Sequence, residues 1–93
     1  MFDWLIEKQL KKRSRTDIVK SLLRICMGNP TITTLLYESH LSYSQLKWYL
    51  DTMEDNALIK IRKDKKFEIT TKGQKYVQVV MELEKLMKFD SGM

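Results

Sequence analysis

The sequence predicts a mainly α-helical fold with one small β-hairpin. Three observations carry this. Apolar residues recur at helical spacing along most of its 93 residues. Residues 58–62 and 66–70 instead alternate apolar and polar about a charged turn, Lys63-Asp64-Lys65-Lys66. The helix-like stretch before them opens with Ser42 and carries Gln45 three positions on, the pairing of a capping box. A helix, then a two-stranded hairpin with a basic tip, is the order of a winged helix-turn-helix. That order sets a helix beside a basic loop, where the two can straddle a DNA groove.

Each element has its own signal. Residues 2–12 read as a helix, with Phe2, Leu5, Ile6 and Leu10 at helical spacing. Lys8, Lys11, Lys12 and Arg13 gather at its C-terminal end, where the helix dipole favours cations. Residues 1–13 are accordingly an N-terminal accessory helix. Ser14 caps the next helix, residues 15–27, with Asp17 three residues on. Ile18, Val19, Leu22, Leu23 and Cys26 make its inward stripe. Gly28-Asn29-Pro30, with the single proline of the chain, stops it.

A short helix over about 31–38 turns Ile32, Leu35 and Leu36 inward, and Glu38-Ser39-His40-Leu41 is the turn. The fourth helix runs from Ser42 to Asp55-Asn56, with Leu46, Tyr49, Leu50 and Met53 facing the core. The winged helix-turn-helix proper spans residues 14–70. Thr71 starts the last helix, to about residue 88, and residues 71–93 form a dimerisation helix and tail. Tyr76, Val80, Leu83 and Met87 make one apolar stripe there, which Val79 and Leu86 widen. With Val77, Met81 and Phe89 added, this helix is apolar nearly all round, and such a helix must be covered. A second copy is the simplest cover, with Tyr76, Val79, Val80, Leu83, Leu86 and Met87 in the interface. Phe2, Leu5 and Ile6 of the N-terminal helix are the rival cover.

Composition narrows the function. A net charge of +5 and a pI near 9.4 favour a polyanionic partner. A chain this short makes one domain with a modest core, so dimerisation adds stability. Cys26 stands alone, cannot form an internal disulfide, and fits a reducing cytosol as a small core residue. No apolar run reaches the length of a membrane span, and no membrane partner is expected. The apolar start, Met1-Phe2-Asp3-Trp4-Leu5-Ile6, holds an acid and precedes no small-residue cleavage site, so it does not read as a signal peptide. His40 has no second His or Cys at metal spacing. No Ser-His-Asp grouping, Gly-rich phosphate loop or paired carboxylate appears. Neither an enzymatic activity nor a cofactor nor a metal is expected.

Three basic constellations could meet DNA. A helix-turn-helix places the N-terminal half of its second helix in the major groove. Ser42, Tyr43, Ser44 and Lys47 occupy that half, where hydroxyls and amides hold phosphate and Lys47 reaches phosphate or guanine. Asp51, Glu54 and Asp55 follow and are expected to point away from the duplex. Arg62, Lys63, Lys65 and Lys66, with Lys60, charge the hairpin; they suit phosphate or minor-groove contact, or else guard an edge strand. Arg13 and Arg15, with Lys8, Lys11 and Lys12, form either a DNA contact or a solvated helix end. Trp48 faces outward, onto sugar and backbone or onto Trp4 or Phe2.

These segments resemble the archaeal winged-helix family that includes the 10a-type chromatin proteins and many small transcriptional regulators. The resemblance rests on Lys11-Lys12-Arg13-Ser14-Arg15 leading into Asp17-Ile18-Val19, and on Leu41-Ser42-Tyr43-Ser44-Gln45-Leu46-Lys47-Trp48-Tyr49-Leu50. Leu58-Ile59 and Phe67-Glu68-Ile69-Thr70-Thr71-Lys72-Gly73 complete it, over about residues 11–88. Members commonly carry Lys where this chain has Ser44 and Trp48. The resemblance implies DNA binding and, for 10a-type members, an antiparallel coiled coil of C-terminal helices. The expected function is therefore a homodimeric double-stranded-DNA-binding protein, a regulator or chromatin-like protein of an archaeon or archaeal virus, cytoplasmic and nucleoid-associated. The alternative is a winged helix that serves as a protein-protein interaction module without direct DNA binding. Lys47, the wing lysines and the residue 11–15 cluster on one face would favour DNA. An apolar patch of Trp48 and Tyr43 apart from the cations would favour a protein partner.

Overall fold

The computed structural model describes residues 14–87. In chain order these form α1 (Arg15–Cys26), α2 (Ile32–Ser39), α3 (Tyr43–Asp55), β1 (Ile59–Ile61), β2 (Phe67–Ile69) and α4 (Thr71–Met87). The helix expected over residues 2–12 lies outside the described residues, as do Arg13 and Phe89.

Each helix starts where a side chain can satisfy its first free N–H groups. Ser14 Oγ accepts from the Asp17 N–H at 3.1 Å, and Thr31 Oγ1 from the Thr34 N–H at 3.3 Å. At α3 the capping box is complete: Gln45 N–H donates to Ser42 Oγ at 3.2 Å, and Ser42 N–H to Gln45 Oε1 at 3.1 Å. Thr70 Oγ1 caps α4 by accepting from the Gly73 N–H at 3.0 Å. The end of α3 is a Schellman turn. Leu58 N–H donates to the Met53 carbonyl at 2.9 Å and Ala57 N–H to that of Glu54 at 3.0 Å. Ala57 takes the left-handed conformation, φ 61°, where glycine is usual.

The stripes expected for the first three helices meet in one core. Leu22, Leu23 and Cys26 of α1, Leu35 of α2, and Leu46, Leu50 and Met53 of α3 are buried with Leu58, Ile59, Phe67, Ile69 and Val77. Ile18, Val19, Ile32, Leu36 and Tyr49 pack at its rim. Burial pushes the Cys26 thiol up to about 12, so it packs as a neutral apolar group.

β1 and β2 pair antiparallel in the register Ile59–Ile69, Lys60–Glu68 and Ile61–Phe67. Both strands are shorter than the alternation suggests. Leu58 belongs to the turn after α3, while Arg62 and Lys66 close the tip through an N–H to carbonyl bond of 2.8 Å. A further tie has no sequence signature. Phe67 N–H donates to the Pro30 carbonyl at 2.9 Å, and the Asn29 amide to the Phe67 carbonyl at 3.3 Å. Asn29, left-handed at φ 52°, turns the chain after α1 so that this bond to β2 can form.

α4 buries Gly73, Val77 and Val80, with Tyr76 half-buried, and Lys20 Nζ of α1 meets Glu84 Oε2 at 2.7 Å. The face turned to the body thus differs in phase from the Tyr76, Val80, Leu83, Met87 stripe. Val80 belongs to the interior of the chain itself, whereas Val79, Leu83, Leu86 and Met87 are exposed. Gly73 sets this phase. A Cβ on it would lie 2.3 Å from the Leu58 carbonyl oxygen and 2.7 Å from Ile69 Cγ1. Gly73→Ala is therefore expected to destabilise the fold by about 1–3 kcal/mol through overpacking, despite the better helix propensity of alanine. Urea unfolding checks it: the midpoint should fall at an unchanged m-value, and a raised midpoint would disprove the close approach.

Candidate nucleic-acid interface

α2 and α3 are joined by a three-residue turn. His40 adopts the left-handed conformation at φ 61°, and Leu41 N–H donates to Ser39 Oγ at 3.3 Å. With Leu46, Leu50 and Met53 buried, α3 turns Tyr43, Ser44, Lys47, Trp48 and Asp51 outward. Tyr43 is 58% and Trp48 50% exposed, high for aromatic side chains on so small a domain. Ser42 and Gln45 are committed to the capping box, and Ser42 Oγ also lies 3.4 Å from Ser44 Oγ. Ser42 therefore acts by holding the first turn of α3, which leaves Tyr43, Ser44 and Lys47 as its reaching side chains.

Lys47 Nζ is hydrogen-bonded to Asp51 Oδ1 at 3.1 Å, one helical turn on. That bond, with the charge of the carboxylate, holds the ammonium above its ordinary range and keeps it protonated. The helical repeat returns Asp51 and Glu54 to the Lys47 side, where they line a groove of about 300 Å³ with Tyr43 and Lys47. Ile32 and Leu50 also line this groove, and the hairpin contributes Ile61, Lys65 and Phe67. The i,i+4 spacing of Lys47 and Asp51 is the sequence signal for their pairing.

The hairpin divides its cations. Arg62, expected to reach phosphate, is bound within the wing: Nη2 lies 3.2 Å from Asp64 Oδ2 and Nε 4.0 Å from Glu68 Oε1. Lys60 faces Glu68 at 3.8 Å across the strands. Lys63, Lys65 and Lys66 are exposed and make no ion pair among the described residues. The tip is narrow because Lys65 N–H donates to the Arg62 carbonyl at 2.9 Å and Lys66 N–H to Asp64 Oδ1 at 3.2 Å. This turn places Lys65 at φ 65°, where glycine is at ease and a lysine is strained.

Arg15 closes the other flank. Its guanidinium carbon sits 5.2 Å from the Trp48 ring centroid, and Trp48 meets Tyr49 edge-on at 5.0 Å. Trp48 therefore packs on Arg15 and Tyr49; Trp4 and Phe2, its other expected partners, lie outside the described residues. Tyr43 and Trp48 do not form a patch apart from charge. Tyr43 shares a groove with Lys47 and Lys65, and Trp48 lies under Arg15. Among the described residues no cluster of His, Cys, Asp and Glu could hold a metal. None of their helices is long and apolar enough to cross a membrane.

Comparison with known proteins agrees with this fold. The winged helix-turn-helix family matches residues 12–88. An uncharacterized protein of the archaeon Methanocaldococcus jannaschii is 31% identical over 77 residues, 82% of this chain and 78% of that protein.

The strain at Lys65 yields a separate test. Lys65→Gly should stabilise the protein by roughly 1 kcal/mol, since a left-handed backbone costs a side-chain-bearing residue about that much. Thermal or urea unfolding measures it, and a loss of stability would show that the lysine side chain is needed to hold the turn.

Proposed function

This chain belongs to the winged helix-turn-helix family, and from that membership we propose that it binds double-stranded DNA. It does so as a transcriptional regulator or a chromatin-like protein of the 10a type, nucleoid-associated in the cytoplasm. One observation carries the reading: Tyr43 and Lys47 of α3 and Lys65 of the hairpin line a single groove. Such a groove lets α3 enter the major groove while the tip lysines lie against adjacent phosphates. Arg15 over Trp48 extends the basic surface past α3, and aromatics interleaved with cations suit sugar and phosphate better than an apolar protein partner. The role is one of binding, with no catalytic step.

The active form in this reading is a homodimer. Val79, Leu83, Leu86 and Met87 leave a strip of exposed apolar surface on α4, with Leu83 at 55% and Leu86 at 79%. An antiparallel coiled coil of two α4 helices would cover it and hold two α3 helices for two half-sites.

Affinity for duplex DNA should fall steeply with salt, with a log–log slope of roughly −0.9 per phosphate neutralised. Replacing Lys63, Lys65 and Lys66 by Ala should weaken all sequences about equally and flatten that slope by roughly 0.9 for each phosphate left without its lysine. A fluorescence titration with random and genomic duplexes checks both. No binding at low salt would end the DNA reading, and an unchanged triple variant would make the lysines edge guards.

The dimer is tested through Leu83. A buried Leu→Ala change costs about 2–5 kcal/mol, and a two-fold axis applies it twice. Leu83→Ala should therefore shift the protein towards monomer and weaken DNA binding, seen by sedimentation and by titration. A monomeric parent protein at micromolar concentration would refute the interface.

A further inference from the structure

We propose that the cavity between α1, the end of α3 and the start of α4 binds a small organic acid, a carboxylate on an aromatic or branched aliphatic body. This stands apart from the DNA-binding reading. The cavity holds about 320 Å³, at the lower end of the range for small-molecule sites. It shares no lining residue with the groove beside the hairpin. Val19 of α1, Met53 of α3 and Leu58 of the following turn supply an apolar lining. Thr52 and Asn56, one turn apart on α3, and Lys72 and Tyr76, one turn apart on α4, complete it.

The polar groups of this lining select the charge of the occupant. Lys72 and the Tyr76 hydroxyl have no hydrogen-bond or ion-pair partner among the described residues. The Asn56 amide donates to the Thr52 carbonyl at 2.8 Å, which leaves its second N–H open. Among the described residues no carboxylate lines the cavity, whereas Asp51 and Glu54 line the hairpin groove. Lys72 also stands in the first turn of α4, where the helix dipole favours an anion. A carboxylate takes charge-assisted bonds from such donors. An ion with no apolar body would leave Val19, Met53 and Leu58 uncovered, and an uncharged apolar molecule would leave Lys72 unused. An acid with an apolar body satisfies both ends. It touches α1, α3 and α4 together, so its binding stabilises the folded chain.

Nuclear magnetic resonance titration of the full chain with benzoate, phenylacetate and isovalerate, at constant ionic strength, tests this. At least one acid should saturate, with the largest shifts at Thr52, Asn56, Lys72 and Tyr76, and should raise the unfolding temperature. Its neutral amide, of the same shape, should bind about fivefold more weakly. Lys72→Gln should weaken the acid about fivefold and change the amide by less than about twofold. Tyr76→Phe, which keeps the ring, should weaken the acid several-fold. Lys75 is an exposed lysine of α4 outside the lining, so Lys75→Gln should bind the acid as the parent protein does. Four results overturn the proposal: no saturation by any of the three acids, amides that bind as well as acids, an equal loss in Lys75→Gln, or shifts centred on the hairpin groove. Nuclear Overhauser contacts from residues 1–13 to Tyr76 would make the chain's own start the occupant, and would overturn it too. Circular dichroism confirms that each variant is folded.

Discussion

The peptide unit of Leu58 ties the helices to the wing. Its N–H ends α3 by bonding the Met53 carbonyl at 2.9 Å and its carbonyl accepts from the Thr70 N–H at 3.0 Å, while the Thr70 hydroxyl lies 2.6 Å from the Ala57 carbonyl and 3.0 Å from that of Leu58. One residue thus secures the carbonyls at the end of the turn after α3. Gly73 packs directly on the Leu58 carbonyl, closer than any side-chain-bearing residue could. The end of α3, the root of the hairpin and the start of α4 thus share one anchor. At the far side of the hairpin root, Phe67 is bonded to Pro30 and Asn29. The wing is held at its base by two independent ties and is free only at its tip.

The charges of the interface fall into two groups with different duties. Arg62, Lys60, Asp64 and Glu68 neutralise one another on the hairpin and help to hold its strands in register. Lys63, Lys65 and Lys66 are left over, and they project from the tip. Lys47 stands between the groups, paired but exposed. Exposed pairs of this type are weak, so a ligand with better geometry can take either partner. The aromatic side chains separate these charges spatially, with Tyr43 on the groove side of α3 and Trp48 carrying Arg15 on the other.

Much of this was legible in the sequence, for definite reasons. α1, α2 and α3 carry narrow apolar stripes, and Ser14 and Ser42 are strong caps, so period and boundary signals agree. The hairpin was legible through its alternation and the charged tip. α4 was legible as a helix but not in phase. Apolar residues occupy most of its circumference, so periodicity cannot say which face turns inward. The deciding contact, Gly73 on Leu58, joins residues far apart in the chain and involves a residue with no side chain. The bond from Phe67 to Pro30 was silent for a similar reason: it uses backbone atoms only. In the candidate site, the outward set on α3 followed from the buried one. The internal pairing of Arg62 did not, because it depends on which carboxylate lies within reach after folding.

The wing tip has a consequence for how such a protein can change. The strand ladder and the Arg62–Lys66 closure fix the root of the hairpin, and beyond them only the Lys65 N–H to Arg62 and Lys66 N–H to Asp64 bonds shape the tip that carries the three lysines. All three are exposed. Residues there can be swapped, added or recharged with little effect on folding, whereas the same changes near Leu58 or Gly73 would unseat three elements at once. Affinity for a polyanion is therefore adjustable at the tip one charge at a time, while the helix that would discriminate between sequences stays on a rigid mount. The molecule separates how tightly it holds from what it prefers, and it leaves the first of these open to drift.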